Sequence, residues 1–308
     1  MNEFYVMLKD VITNGQVLRD EPLSKHTTFR IGGPCDFFVI ADSQEEFVNV
    51  IRLCLKEQVP CFMIGNGSNL LVADEGLSGV VLRLNEDATN ILVEEKGDTT
   101  IVTGCAGINL SNFAMKIANL SLTGFEFAAG IPGTLGGAVY MNAGAYGGEI
   151  KDCIQSARVV TQEGEILVLD KEDLNLSYRS SSIQATGYYI LSASFAFKKG
   201  DNAQIHARIE ELNQQRREKQ PLELPSAGST FKRPVGYFAG KLIMDAGLRG
   251  YRVGGAMVSE KHCGFVVNID NATAKDVLTL LSDVQRIVKE KFNVTIEPEV
   301  KFISNNKV

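Results

Sequence analysis

Two stretches of this sequence place small residues where the flanks are apolar. "GNGSNLLV" covers residues 65–72 and follows the apolar run "CFMI". "AAGIPGTLGGAVYMNAGAYG" covers residues 128–147. Glycine in such loops lets backbone N–H groups approach an anion that a Cβ would obstruct. Asn66, Ser68, Asn69, Thr134 and Asn142 add side-chain donors. The chemistry that suits this composition is a backbone cradle for an anionic group of the pyrophosphate class. For either loop alone, a tight turn needed only for packing explains the glycines equally well. Two such loops, both carrying polar donors, favour one ligand held between them. Neither stretch contains GxGxxG or GxxxxGK[ST], which disfavours a Rossmann-type dinucleotide fold and a phosphate loop.

Other kinds of chemistry find less support. Cys35, Cys54, Cys61, Cys105, Cys153 and Cys263 form no CxxC pair, and 308 residues far exceed a disulfide-stapled module. Reduced, mostly buried thiols are expected. His26, His206 and His262 lack metal-ligand spacing, so no metal is expected. The net charge of −6 argues against a general attraction to nucleic acid, although a local basic cluster still suits an anionic substrate. "MNEFYVMLKDVITNG" is charged throughout and has no signal-peptide core, and no apolar run approaches a membrane span. These features lead to the expectation of a cytoplasmic protein that binds neither nucleic acid nor membrane, with no obligate protein partner evident.

The elements that would position the loops can be read from periodicity. "SQEEFVNVIRLCLKEQ" (43–58) has a capping serine and helical apolar spacing, and strands flank it between residues 36 and 65. "GVVLRL" (79–84) is a strand. Hairpins are expected over 91–104, turning at Lys96-Gly97-Asp98, and over 156–169, turning at Glu163-Gly164. "LSNFAMKIANLSL" is a helix, "GYYILSASFAF" (187–197) a strand, and 201–220 a long charged helix. The segment 273–292 is amphipathic, with Val277, Leu280, Leu281, Val284, Ile287 and Val288 on one face. "PEVKFI" (298–303) closes the chain as a strand. The fold class is α+β in three parts, 1–85, 86–200 and 201–308, with the polar start of the long helix as the clearest boundary.

Seven motifs occur in order: "TTFRIGG" (27–33), "GNGSNLLV", "AAGIPGTLGGAVYMNAGAYG", "YRSS" (178–181), "SAGSTFKRP" (226–234), "AGKLIMDAGLRG" (239–250) and "PEV" (298–300). Each alone is weak. The ordered set, covering about residues 20–303, resembles the UDP-N-acetylenolpyruvoylglucosamine reductase family, flavoenzymes of bacterial peptidoglycan synthesis. The resemblance implies a vanillyl-alcohol-oxidase (PCMH) type FAD-binding fold. Two subdomains would grip non-covalent FAD, and a C-terminal α+β domain would cover the substrate. A longer class of the family inserts a loop with a substrate-binding tyrosine. Here only five residues separate Ser182 from the strand at 188, so the chain resembles the shorter class.

The resemblance also implies roles for residues. Gly65, Asn66, Gly67, Ser68, Asn69 and Leu70 would hold FAD together with Gly130, Ile131, Pro132, Gly133, Thr134, Gly136 and Gly137; Asn142, Ala143 and Gly144 would lie close by. The family reaction takes hydride from NADPH through FAD to C3 of UDP-N-acetylglucosamine enolpyruvate, and C2 takes a proton. Ser229 matches the proton donor, Arg179 the catalytic arginine whose forked donors suit a carboxylate, and Glu299 the second acid. Glu299 is expected on a strand, where Glu297 would share its face. Tyr178 is expected at the substrate, and Lys219 with Arg217 or Arg216 at its UDP phosphates; Lys232 and Lys241 lie near motif residues, and His262 is expected to be structural. Two competing functions remain at this point. One is a flavin oxidase of the same fold acting on another small alcohol or sugar, and the other is a flavin-binding protein without turnover.

Overall fold

Ser43 starts the first long helix as its sequence dictates. Its side chain accepts from the Glu46 N–H, and the helix runs Gln44–Lys56. In the computed structural model, which describes residues 2–85 and 91–305, two compact units emerge. The first comprises residues 1–19, 37–65 and 79–215; the second comprises 20–36, 66–78 and 216–308. The expected boundary at 85/86 falls beside residues 86–90, outside the described residues.

The first unit carries two larger sheets among its described residues. One has the order Gln16–Pro22, Pro34–Ala41, Leu77–Leu84, Cys61–Met63, and its last pair is parallel with Phe62 opposite Val81. The other is an antiparallel sheet in the order Ile166–Asp170, Ile154–Val160, Tyr189–Lys199, Thr99–Cys105, Ile91–Lys96. Both expected hairpins lie in it, closing at Lys96 opposite Thr99 and at Val160 opposite Ile166. Phe113, Phe125 and Phe195 meet in its core, with Phe113 edge-on to Phe125 at 5.7 Å between centroids.

Glu46 does more than begin a helix. Its Oε1 accepts from Thr13 N (2.8 Å), Thr13 Oγ1 (2.9 Å) and Asn14 N (2.7 Å), and its Oε2 accepts from Asp42 N (2.9 Å). Burial pushes its pKa up, but these donors outweigh burial and hold it at about 2, below its ordinary 4.5. The folded value lies below the unfolded one. The carboxylate's contribution to stability is therefore complete above about pH 4.5 and is lost as pH falls toward about 2. Glu46→Gln is expected to destabilise the protein by about 2 kcal/mol at neutral pH. Urea melts across pH 2 to 5 provide the check, because the variant's stability is expected to fall less steeply than the wild type's over that range.

The second unit is built on a four-stranded antiparallel sheet in the order Ser226–Ser229, Phe265–Asn268, Ala256–Val258, Arg252–Val253. Helix Ala274–Phe292 begins at a capping box between Thr273 and Asp276, and Asp74 accepts from Ala274 N at 2.7 Å. Val277, Leu280, Leu281, Val284 and Val288 are buried from the expected face, and Ile287 packs beside them. The closing strand is shorter than expected and covers only Lys301–Ile303. Pro298 has no N–H to extend a ladder, and the Glu299 N–H goes instead to Thr230 O at 2.8 Å. Glu299 thus sits in an extended segment just before the strand. Lys301–Ile303 runs parallel to Leu70–Val72, the strand that leaves the first glycine loop.

Candidate functional site

In the second unit, loop Asn66–Asn69 lies against the "TTFRIGG" segment. Thr28 N donates to Gly67 O, and Gly67 has φ +61, where a Cβ would also run into His26 O. That explains why this position is glycine. Among the described residues, no hydrogen bond takes the backbone N–H groups of Asn66, Gly67, Ser68 or Asn69. The loop is partly buried, and an anionic group would supply acceptors for several of these donors at once.

In the first unit, Gly65 packs on Thr134, where any Cβ would strike Thr134 Oγ1. Thr134 caps the short helix Leu135–Tyr140, its Oγ1 accepting from Gly137 N. Gly133 O accepts from Leu110 N at 2.9 Å, and Ile131 N donates to Ala128 O. The backbone N–H groups of Gly133 and Thr134 donate to no other described residue. Both glycine segments therefore present backbone donors that bond no described residue, next to positions such as Gly65 and Gly67 where a Cβ is excluded. These residues fit a pyrophosphate-bearing cofactor.

The candidate catalytic residues fall into two groups. In the second unit, a bulge between Ser226 and Ser229 leaves Ser229 exposed on its strand, opposite Phe265. Thr28 Oγ1 donates to Ser226 O at 2.7 Å, which ties the "TTFRIGG" segment to the same strand. Beyond Ser229, Thr230 O accepts from Glu299 N and Phe231 bridges Pro298. Asn69 Nδ2 donates to Glu299 O at 3.3 Å, and Lys301 N donates to Asn69 O at 2.9 Å. The glycine loop, the serine strand and the Glu299 segment are thus one hydrogen-bonded assembly. Glu297 pairs with Lys232 at 3.1 Å, so it is already engaged. Burial, with help from the Lys232 charge, lowers the Lys301 ammonium below the usual lysine value. Arg217 and Lys219 are exposed on the last turn of helix Asn202–Lys219, where Lys261 Nζ donates to Arg217 O. Lys241 is paired with Asp245 at 2.9 Å.

In the first unit, Ser177 and Ser180 close a tight turn whose tip is Tyr178 and Arg179. Arg179 stacks over the exposed Tyr178 ring at 5.0 Å and donates from Nη2 to Gly144 O at 3.1 Å. Gly144–Ala145 pairs with Gly148–Glu149 in a small hairpin that carries Tyr146, half-exposed with φ +53. His262 is structural: Nδ1 accepts from Gly264 N at 3.1 Å, the ring meets Phe265 edge-on, and burial lowers its pKa. Among the described residues there is no cluster of His, Cys, Asp or Glu that would hold a metal, and no helix is long and apolar enough to cross a membrane.

Comparison with known proteins places this geometry in a family. Residues 35–170 match the FAD binding domain, and residues 220–303 match the C-terminal domain of UDP-N-acetylenolpyruvoylglucosamine reductase. The enzyme of that name from Lachnoclostridium phytofermentans is 66% identical over 96% of both chains. The one from Caldanaerobacter subterraneus subsp. tengcongensis is 48% identical over 96% of both. The crystal structure of UDP-N-acetylenolpyruvylglucosamine reductase from Thermus caldophilus superposes with a TM-score of 0.77 at 33% identity, covering 94% of this chain and 99% of that one. The expected vanillyl-alcohol-oxidase type FAD-binding fold with a C-terminal α+β domain is borne out. The chain belongs to the UDP-N-acetylenolpyruvoylglucosamine reductase family.

Proposed function

We propose that this chain reduces UDP-N-acetylglucosamine enolpyruvate to UDP-N-acetylmuramate with NADPH, a step of peptidoglycan synthesis. Residues 1–85 and 86–200 bind FAD and 201–308 serve the substrate, in the cytoplasm, without nucleic acid, membrane or obligate protein partner. FAD bound there would supply the hydride chemistry, from NADPH to C3 of the enolpyruvyl ether. Gly65–Leu70, Gly130–Thr134, Gly136 and Gly137 would hold its pyrophosphate, with the backbone N–H groups of Asn66, Gly67, Ser68, Asn69, Gly133 and Thr134 as the donors and Ala143 and Gly144 alongside. Arg179 takes the substrate carboxylate, where negative charge grows as C3 gains hydrogen. Glu299 hydrogen-bonds the same developing enolate. Ser229 Oγ gives its proton to C2 as the C2–H bond forms, and solvent restores that proton. Tyr178, Arg217 and Lys219 contact the remainder of the substrate.

The observation that carries this reading is the joining of the Glu299 segment to both Asn69 and Thr230, which puts loop, acid and serine strand in one bonded assembly. The visible spectrum of the purified protein tests it. A flavin band that NADPH bleaches and the enolpyruvyl substrate restores is the expected result. A band that bleaches with a small alcohol and recovers only with oxygen would support the oxidase reading instead. The cradle has its own test. Gly67→Val is expected to give a folded protein that purifies largely without FAD, since a β-branched side chain cannot occupy φ +61 beside His26 O. Full flavin occupancy in that variant would reduce the loop to a turn.

A further inference from the structure

Asn142 is polar and completely buried. Its side chain makes three bonds inside the chain. Nδ2 donates to Glu149 Oε2 at 2.9 Å and to Ser177 O at 2.9 Å, and Oδ1 accepts from Lys151 N at 2.9 Å. Both amide protons are used, so neither is left to reach a cofactor. Ser177 is the first residue of the turn that presents Arg179. Ser177 and Ser180 exchange both backbone hydrogen bonds, at 3.1 and 3.0 Å, around Tyr178 and Arg179.

Arg179 has φ +55. A long side chain stays in that region only when its surroundings fix it there. Here they do. Ser181 Oγ and Gln184 Nε2 both donate to Tyr140 O, at 2.7 and 2.8 Å, and Gln184 Nε2 also reaches Arg179 O at 3.1 Å. Arg179 itself bonds Gly144 O. The segment 140–144 thus grips the turn at Ser177 and Arg179 and the residues after it at Ser181 and Gln184, and Asn142 is its buried member. Its other partner, Glu149, is fixed by Lys151 Nζ at 2.9 Å.

We infer that Asn142, backed by Glu149, is the positioning residue for Arg179: it holds the 177–180 turn in the strained form that aims the guanidinium at a substrate carboxylate. The inference rests on the role given to Arg179 under Proposed function. It also moves Asn142 from the expected cofactor ligands to the support of a catalytic side chain.

Four proteins decide it: wild type, Asn142→Ala, Arg179→Ala and the double variant. The readouts are FAD content, binding of UDP-N-acetylmuramate by calorimetry, and the two half-reactions by rapid mixing. Asn142→Ala is expected to retain FAD, to weaken product binding and to slow the substrate half-reaction about 10²-fold, the usual cost of misplacing a reacting group. The NADPH half-reaction is expected to be nearly unchanged. The double variant is expected to be no slower than Arg179→Ala, because residues acting through one another are not additive. Additive losses would overturn the inference while leaving Arg179 in its role. Loss of FAD with a normal substrate half-reaction in the retained fraction would overturn it in favour of a cofactor contact. If Arg179→Ala alone leaves the substrate half-reaction unchanged, the reading of Arg179 fails and this inference falls with it.

Asn142→Asp serves if the alanine variant does not fold. It keeps the acceptor for Lys151 N, removes both donors, and sets a second carboxylate against Glu149 among Lys151, Asp152 and Arg179. Like charge raises its pKa, and the protonated form regains one donor. Its substrate half-reaction is therefore expected to recover as pH is lowered, and a profile parallel to wild type would overturn the inference.

Discussion

Ser229→Ala is expected to leave the bleaching of the flavin band by NADPH intact and to slow its return with substrate by about 10³–10⁴-fold. Proton donation is needed only as C2 accepts hydrogen, so the first half-reaction does not involve the serine. General acid catalysis contributes roughly 10²–10⁴-fold, and the upper end applies where an unprotonated product returns its hydride. Ser229 is suited to the task by placement: it is exposed at a bulge while its successor, Thr230, is buried and bonded to Val266 N and Glu299 N. Ser229→Cys keeps a donor of similar size and is expected to be partly active. In heavy water, solvent deuterium should appear at C2 of the product. An alanine variant whose flavin band returns at the wild-type rate would remove Ser229 from the mechanism.

Arg179→Lys is expected to slow the same half-reaction about 10²-fold, with only a modest change in bleaching by NADPH. The loss is that of one preorganised donor aimed at growing charge. In the structure, Arg179 stacks on Tyr178 and bonds Gly144 O through one nitrogen, and its planar, forked guanidinium has the shape that suits a carboxylate. A lysine ammonium is a single point of charge and cannot meet both requirements. Equal slowing of the two half-reactions would instead mark Arg179 as a general structural support.

Much of this fold was legible because local chemistry sets it. Ser43 with Glu46 and Thr273 with Asp276 announce helix starts, and the turns at Gly97 and Gly164 announce hairpins. The sheet of the second unit was not legible. Its strands are two to four residues long, and one of them reads "SAGS", with no alternation to betray it. Glu299 was read onto a strand because the apolar pattern continues through it, whereas Pro298 ends the ladder. Asn142 illustrates a different limit. Within a glycine run, an amide looks the same in sequence whether it faces a ligand or is buried against Ser177 and Glu149.

The parallel pairing of Leu70–Val72 with Lys301–Ile303 has a consequence for biosynthesis. A chain made from its N-terminus exposes the first glycine loop long before its partner strand exists. The helix and strands of residues 91–199 can collapse while translation continues, since their pairings are closed within that span. Asn69, by contrast, obtains its bonds to Glu299 and Lys301 only after residues 299–301 have been made and have emerged. Closure over so long a separation is slow compared with a hairpin. The first glycine loop therefore reaches its full set of hydrogen bonds only after that late pairing has closed.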